Sequence, residues 1–160
     1  MEFPCRAVEE SFLTTAPMRF VNEVILDAPP EGVFRMFEDG DSWSKWIKGL
    51  KRVEWTSPKP FGVGTTRTVT LDVMSVKEYF FIWEQNKRFT FYFTSTSMPF
   101  VKALCEDYLL EPIGEGKTKF TYTVACEPSL PLKLSGPIGK YALRKLFKDA
   151  TQALQGLLQR

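Results

Sequence analysis

The hydrophobic pattern of the chain is most marked in residues 76–96, where two runs rich in aromatic side chains flank a polar triplet at residues 85–87. Two such runs around a short polar break predict a β-hairpin. With residues 86–87 as a two-residue loop, Phe80 lies opposite Phe93. Directly opposite residues share a sheet face. The more apolar face, which we expect to point inward, consists of Glu78, Phe80, Ile82, Glu84, Phe89, Phe91 and Phe93.

The other face of this hairpin, expected to point outward, contains Tyr79, Phe81 and Trp83. This assignment depends on the length of the turn. A longer loop or a bulge would reverse the faces and turn these three aromatic side chains inward.

The rest of the pattern predicts further strands and three helices. Runs of β-branched and aromatic residues predict strands at residues 20–26, 51–56, 65–71, 104–111 and 118–126. Apolar positions three and four apart predict a short helix from Pro30 to Gly40, a second one at 42–50 capped by Asp41 or Ser42, and a long helix at 138–158. We expect the proline-rich segment 128–137 to be an irregular connection, and residues 1–19 to be an extension packed on the body of the protein.

The register of the second hairpin follows from its apolar pairs. Placing Leu110 opposite Phe120 also sets Tyr108 against Tyr122 and turns Glu106 toward the same interior. A slip of one residue would exchange the two faces. The preferred register leaves Cys105 and Cys126 out of line, so we expect no disulfide between them.

The order of these elements predicts an α+β fold in one domain, residues 1–160. Consecutive strands with short connections indicate a curved antiparallel sheet of about six to seven strands, with two short helices after the first strand. The aromatic face of the sheet needs an apolar partner, and the long C-terminal helix is the largest apolar element available. A sheet wrapped round one helix often leaves a concave apolar space, the usual setting of a small-molecule site.

Several stretches resemble the START-like, birch-pollen-allergen-like superfamily with the helix-grip fold, also called SRPBCC proteins. They include VNEVILDAPPEGVFRMFED, SWSKWIKGL, EYFFIWEQNKRFTFYFT and EDYLLEPIGEGKTKFTYTV, and the resemblance extends over residues 20–160. Within the superfamily, the chain is similar to the polyketide cyclase/dehydrase and lipid-transport group. The resemblance implies a protein that binds or transforms a hydrophobic molecule, such as a lipid or an aromatic polyketide. It carries no catalytic signature onto particular residues.

Glu78 and Glu106 are the candidate catalytic residues, because both lie on the predicted inner faces. A carboxyl group in that position is desolvated, which raises its pKa and suits it to acid–base chemistry near neutral pH. Arg67, on the face of its strand that also holds Val69, could neutralise an acidic ligand. The alternative is that the carboxylates pair with Arg67 or lie at the rim of the sheet in water.

The remaining candidates are apolar or aromatic side chains expected to line a ligand cavity. The alternative for each is a place in the packed core. These candidates are Val69, Phe80, Phe91, Phe93, Tyr108, Tyr122 and Trp46.

Composition narrows the possible functions. The chain has no histidine, which removes the commonest general base and metal ligand, and we expect neither a metal ion nor a cofactor. A net charge of +2 argues against binding to nucleic acid, and no apolar run is long enough for stable insertion in a membrane. Three cysteines and no signal peptide predict a cytoplasmic protein, monomeric or homodimeric.

Three functions are therefore considered. The first is binding of a hydrophobic small molecule in a cavity between the sheet and the C-terminal helix. The second is a cyclase or dehydratase that uses an inward-facing glutamate as acid or base. The third is a module that binds a protein partner without any ligand, which a filled interior would favour.

Overall fold

The computed structural model describes residues 1–159. Within these residues the strands are β1 (Phe3–Pro4), β2 (Met18–Leu26), β3 (Leu50–Trp55), β4 (Thr66–Leu71), β5 (Ser75–Glu84), β6 (Arg88–Thr96), β7 (Val101–Pro112) and β8 (Thr118–Pro128). Strands β2 to β8 pair antiparallel in the order β2-β8-β7-β6-β5-β4-β3, and the short β1 pairs with β6. The ends of β2 to β8 match their predicted positions within a few residues, whereas β1 was not predicted.

Four α-helices and one 3₁₀ helix connect or cover the strands. They are α1 (Phe12–Thr15), α2 (Pro30–Glu38), the 3₁₀ helix Gly40–Lys45, α3 (Leu130–Leu134) and α4 (Gly136–Leu157). The α+β helix-grip architecture is thus confirmed, with α4 as the long C-terminal helix.

Two helical predictions need correction. The second short helix is only the 3₁₀ segment Gly40–Lys45. Its cap is Asp39 instead of Asp41 or Ser42, since the side chain of Asp39 accepts a hydrogen bond from the backbone N–H of Asp41. The proline-rich segment is not irregular, since Pro131 fits the first turn of α3 without the loss of a hydrogen bond. Leu132 of that helix is buried against the body.

The central hairpin has a different turn from the predicted one. Glu84 lies opposite Arg88, so three residues form the loop, and Asn86 adopts a left-handed conformation (φ 65°) that asparagine tolerates. A bulge between Phe80 and Ile82 then shifts the register once more, so that Phe80 faces Phe91 instead of Phe93.

The longer turn and the bulge each shift the register by one residue, so the predicted faces are kept in the part of the hairpin beyond the bulge. Glu78 and Phe80 remain on the inner face, as predicted, together with Phe91. Between the bulge and the turn the two faces of β5 are reversed, and Trp83 packs inside against Phe89 of β6, which lies inside as predicted, with ring centroids 5.5 Å apart. The expectation that Ile82 and Glu84 point inward is therefore wrong.

The second hairpin has the predicted register. Leu110 lies opposite Phe120, and Tyr108 lies opposite Tyr122. Cys126 faces Leu104 instead of Cys105, and both cysteines are free thiols.

The concave face of the sheet carries the core, and α4 crosses it. Phe147 of α4 packs on Phe20 of β2, with centroids 5.5 Å apart, and Leu154 is fully buried. Two leucines of the helix, Leu146 and Leu157, are 39% and 44% exposed. The outer side of the first turns of α4 is open to solvent, so the helix covers the sheet most closely toward its C-terminal end.

Residues 3–15 begin in the sheet as β1 and continue onto its convex side. Phe3 pairs with Thr96 of β6, and the backbone N–H of Arg6 donates to Lys102 of β7, so the segment bridges the two strands where they separate. Leu13 of α1 packs against Cys105 and Ala125.

Candidate functional site

A cavity of about 420 Å³ lies between α4 and the concave face of the sheet. Nearly all of its wall is apolar. Strands β4 to β8 supply Val69, Val76, Phe91, Phe93, Val101, Leu104, Val124 and Cys126, and α4 supplies Leu143, Leu146, Phe147 and Ala150. Three of the lining residues are also exposed to solvent, which places the mouth of the cavity beside them: Val73 at 78%, Met98 at 52% and Leu146 at 39%.

The polar part of the wall begins with an ion pair between neighbouring strands. Arg67 of β4 lies directly opposite Glu78 of β5, so both side chains project from the same face. The Nε of Arg67 donates to Oε1 of Glu78 over 2.5 Å, and both residues are at least 96% buried. The pair is enclosed, so its charges are little screened by solvent.

Aromatic rings surround the guanidinium of Arg67. Its central carbon lies 4.4 Å from the ring centroid of Trp43, 4.8 Å from that of Phe91 and 5.1 Å from that of Phe80. Ring faces attract a cation, and the attraction is stronger in a desolvated site. Nη1 has no hydrogen-bond partner among residues 1–159, so these rings provide its surroundings.

Glu106 of β7 forms the second polar group of the wall. The hydroxyl of Tyr108 donates to Oε1 of Glu106 over 2.9 Å, and the hydroxyl of Tyr122 donates to the same oxygen over 2.7 Å. Tyr108 follows Glu106 by two residues on one strand and faces Tyr122 on the next, which brings the three groups together. Burial raises the pKa of both tyrosines well above the usual value, so their hydroxyls stay protonated donors.

Both carboxyl groups have perturbed acidity. Burial raises the pKa of Glu78 to about 7, with Arg67 opposing the increase and any negative charge on Glu106 adding to it. Burial also raises the pKa of Glu106, against the hydrogen bonds from the two tyrosines. Glu78 can therefore gain or lose a proton near neutral pH.

The cavity thiol has no comparable reactivity. Burial raises the pKa of Cys126 to about 12, so it stays a neutral thiol. In residues 1–159, no group of three or more cysteine, aspartate or glutamate side chains is placed to hold a metal ion. The chemistry available at the polar end is hydrogen bonding and proton transfer.

Most of the residues singled out from the sequence come together in this wall. Glu78, Glu106, Arg67, Val69, Phe91, Phe93, Tyr108 and Tyr122 all line the cavity. Their roles toward a ligand remain predictions.

Phe80 and Trp46 have other positions. Phe80 is fully buried in the aromatic core, between Trp83 and Phe89, because the bulge after it turns the following residues inward beside it. Trp46 packs against Phe37 with centroids 6.1 Å apart, in the core beneath α2. These are corrections to the predicted lining.

Other parts of the wall lie outside the set of predicted site residues. Trp43, which precedes Trp46 by three residues, contacts both the cavity and Arg67. Met98 and Phe100 reach the cavity from the loop between β6 and β7. The sequence of that loop could have indicated this position, since a solvent-exposed loop rarely contains two large apolar side chains so close together.

No helix among the described residues is long and apolar enough to cross a membrane.

Comparison with known proteins agrees with this architecture. A sequence profile of the family described as "Polyketide cyclase / dehydrase and lipid transport" matches residues 17–159. An uncharacterised protein of Mycobacterium tuberculosis is 38% identical over 152 residues, which cover 92% of this chain and 90% of the relative. An uncharacterised protein of Mycobacterium bovis matches to the same extent.

Solved structures show the same fold at low sequence identity. A START superfamily protein from Mycobacterium smegmatis superposes with a TM-score of 0.73 at 14% identity, over 88% of this chain and 96% of the other. The Zhui aromatase/cyclase from Streptomyces sp. R1128 superposes with a TM-score of 0.68 at 12% identity, over 88% and 90%. At such identities the likeness concerns the fold.

Proposed function

The chain belongs to the polyketide cyclase/dehydrase and lipid-transport family, and from this membership we propose that it binds a hydrophobic small molecule in the cavity between α4 and the sheet. The ligand class is lipid-like or aromatic and polyketide-like. The observation that carries the proposal is the cavity itself, an apolar space of about 420 Å³ with one polar end. A volume of this size lies within the range of drug-sized ligand sites, roughly 300–1,000 Å³.

The distribution of polar groups in the cavity wall favours one orientation of a bound ligand, called the guest below. Arg67, Glu78 and Glu106 share the wall with Tyr108 and Tyr122, whereas the mouth is apolar. A guest with one oxygenated end would place that end on these five residues and leave its apolar body toward Met98 and α4. Few, well-placed polar groups in an apolar pocket fix orientation in this way. The open space also speaks against the third function, a module that works with a filled interior.

Native mass spectrometry of the purified protein tests the proposal. Val69→Phe places a larger side chain into the cavity, and Val21→Phe is the matched control, since Val21 is 53% exposed on β2. We expect a bound apolar molecule, or added 1-aminoanthracene, in the wild type and in Val21→Phe, and a loss of binding in Val69→Phe. Equal binding by both variants, with both folded by circular dichroism, would show that the cavity is not the site.

A second candidate function rests on the acidity of Glu78. A carboxylate with a pKa of about 7 beside Arg67 can remove a proton next to a carbonyl group, and an acid nearby can protonate the carbonyl oxygen. Those two transfers are sufficient for aldol cyclisation, and elimination of water completes an aromatic ring. This is the cyclase/dehydratase alternative, with Glu78 and Glu106 as the acid–base residues.

Turnover of a linear β-polyketone thioester analogue distinguishes this candidate from simple binding. We expect Glu78→Gln to bind the analogue but to form no cyclised product, because an amide cannot accept the proton. Glu84→Gln, an exposed position on the same strand, serves as the matched control. If the wild type binds the analogue without converting it, this second function is excluded for that substrate class.

A further inference from the structure

The polar end of the cavity holds two carboxyl groups and one cation. Arg67 contacts Glu78, and no lysine or arginine nitrogen in residues 1–159 lies within 4.0 Å of Glu106. The charge of Glu78 is thus balanced by a direct contact, whereas Arg67 acts on Glu106 only from beyond contact distance. A buried charge without a partner in contact is strongly destabilising.

The neighbours of Glu106 are apolar except for the two tyrosine hydroxyls, whose hydrogen bonds oppose protonation of the carboxyl group. Phe91 of β6 lies directly opposite it, Val124 of β8 lies opposite on the other side, and Phe147 of α4 lines the same cavity. The titratable or charged groups that share this space are Arg67, Glu78, Tyr108, Tyr122 and Cys126. Of these, only Arg67 is a cation.

The two tyrosines identify which oxygen of Glu106 carries the proton. Both hydroxyls donate to Oε1, and a carbonyl-type oxygen has two lone pairs, so both are used. A proton on the carboxyl group must then sit on Oε2, which neither tyrosine contacts. Since Glu106 lines the cavity, this proton is available to a guest.

We propose that Glu106 is an uncharged carboxylic acid that donates a hydrogen bond from Oε2 to the ligand, and that the ligand therefore carries a carbonyl or enol oxygen. The statement about the ligand rests on the proposed binding function, while the statement about Glu106 holds for the empty protein. An ionised Glu106 would have the opposite preference, for a hydroxyl or ammonium donor. A buried donor without an acceptor is unfavourable, so a ligand that supplies an acceptor oxygen binds more tightly.

Infrared difference spectroscopy of the ligand-free protein tests the state of Glu106. At pH 8, the wild type minus Glu106→Gln should show the C=O stretch of a protonated carboxylic acid, and the band should shift in the wild type when H₂O is replaced by D₂O. A difference spectrum with only the bands of an ionised carboxylate would overturn the proposal. This result does not depend on any ligand.

Two isosteric probes test the ligand class. In 2-acetylnaphthalene a carbonyl oxygen takes the place of the methylene group of 2-isopropenylnaphthalene. We expect the wild type to bind the ketone about tenfold more tightly, which corresponds to one net hydrogen bond. Glu106→Gln should keep this preference, because its amide oxygen can accept from both tyrosines and its NH₂ group can replace the acid hydroxyl. Glu106→Leu should lose it.

The outcomes separate the inference from the proposed function. Equal affinity of the wild type for both probes, with a ketone preference that appears only in Glu106→Gln, would show that Glu106 is ionised and would refute the inference. If neither probe binds the wild type or any variant, the binding function fails for this ligand class, and the infrared spectrum alone decides the state of Glu106.

Discussion

Raising the pH from about 5 to about 8 should destabilise this protein, because its buried carboxyl groups hold their protons more tightly when the chain is folded. The chain contains no histidine, so no side chain with an ordinary pKa titrates in that range. The pKa of Glu78 rises from 4.5 to about 7 on burial. Between those two values the folded state binds more protons than the unfolded state, and the free energy of unfolding therefore falls as the pH rises.

The size of the effect follows from the same values. Each unit of pKa difference corresponds to about 1.4 kcal/mol, so Glu78 alone accounts for about 3 kcal/mol of stability, fully present below pH 4.5 and lost above pH 7. Glu106 acts in the same direction, since its pKa is also raised by burial. A loss of this size is large beside the 5–15 kcal/mol that is typical of a folded domain.

Urea unfolding followed by tryptophan fluorescence at a series of pH values measures the slope. Glu78→Gln should flatten the pH dependence by about 3 kcal/mol, because the amide does not titrate, whatever its effect on absolute stability. Glu84→Gln, exposed on the same strand, should leave the slope unchanged. A wild-type stability that is constant or rises from pH 5 to pH 8 would refute the reasoning and would indicate that Arg67 keeps Glu78 ionised throughout.

Three further substitutions have definite expected effects, each measured by urea unfolding. Arg67→Met leaves the carboxylate of Glu78 without its cation, and should cost about 3–5 kcal/mol at pH 8 and less at pH 5, where Glu78 is protonated. Gly156→Ala should raise stability by about 0.4–1 kcal/mol, because the added methyl group in α4 meets no atom within 4 Å. Gly40→Ala should lower it by about 1–3 kcal/mol, since its Cβ would lie 2.9 Å from the carbonyl oxygen of Val53.

The hairpin of β7 and β8 could be predicted residue by residue because its apolar positions alternate without interruption. Any one-residue slip would have moved Leu110 and Tyr108 out of the core, so only one register was acceptable. The sequence was also sufficient to predict Glu106 as the hydrogen-bond partner of the tyrosine hydroxyls. Glu106 and Tyr108 are two residues apart on one strand, and Tyr122 faces Tyr108, so the three groups had to be neighbours on one face.

The hairpin of β5 and β6 was less predictable, because aromatic residues occupy both of its faces. The alternation of apolar and polar residues therefore did not favour one register over another. The predicted register depended only on the assumed length of the turn. The left-handed conformation of Asn86 and the bulge after Phe80 depend on packing that involves distant elements, such as Phe34 of α2 against Trp83. Glu78 was assigned to the inner face correctly although the turn behind that assignment was wrong.

The sequence left two alternatives for Glu78, an ion pair with Arg67 and a place in the cavity wall. The structure shows that they are compatible. Pairing with Arg67 was the structural alternative to a site role, yet the pair is buried and forms part of the cavity wall. The size of the cavity could not be predicted, because it depends on how far the first turns of α4 stand from the sheet. No pattern in the sequence determines that distance.

Both candidate functions would use the same polar groups at the end of the cavity. Neighbouring groups whose environments push their acidities apart are the usual basis for separate acid and base roles. Here the contact with Arg67 favours the ionised form of Glu78, whereas no cation in residues 1–159 is in contact with Glu106. Glu78 is then suited to accept a proton and Glu106 to donate one, toward the same guest. Under the two proposed functions, the same arrangement would serve a binding protein if the ligand has no acidic C–H group beside its carbonyl, and a cyclase if it has one. The difference between the two functions therefore lies in the ligand, which makes its chemical identification the decisive measurement.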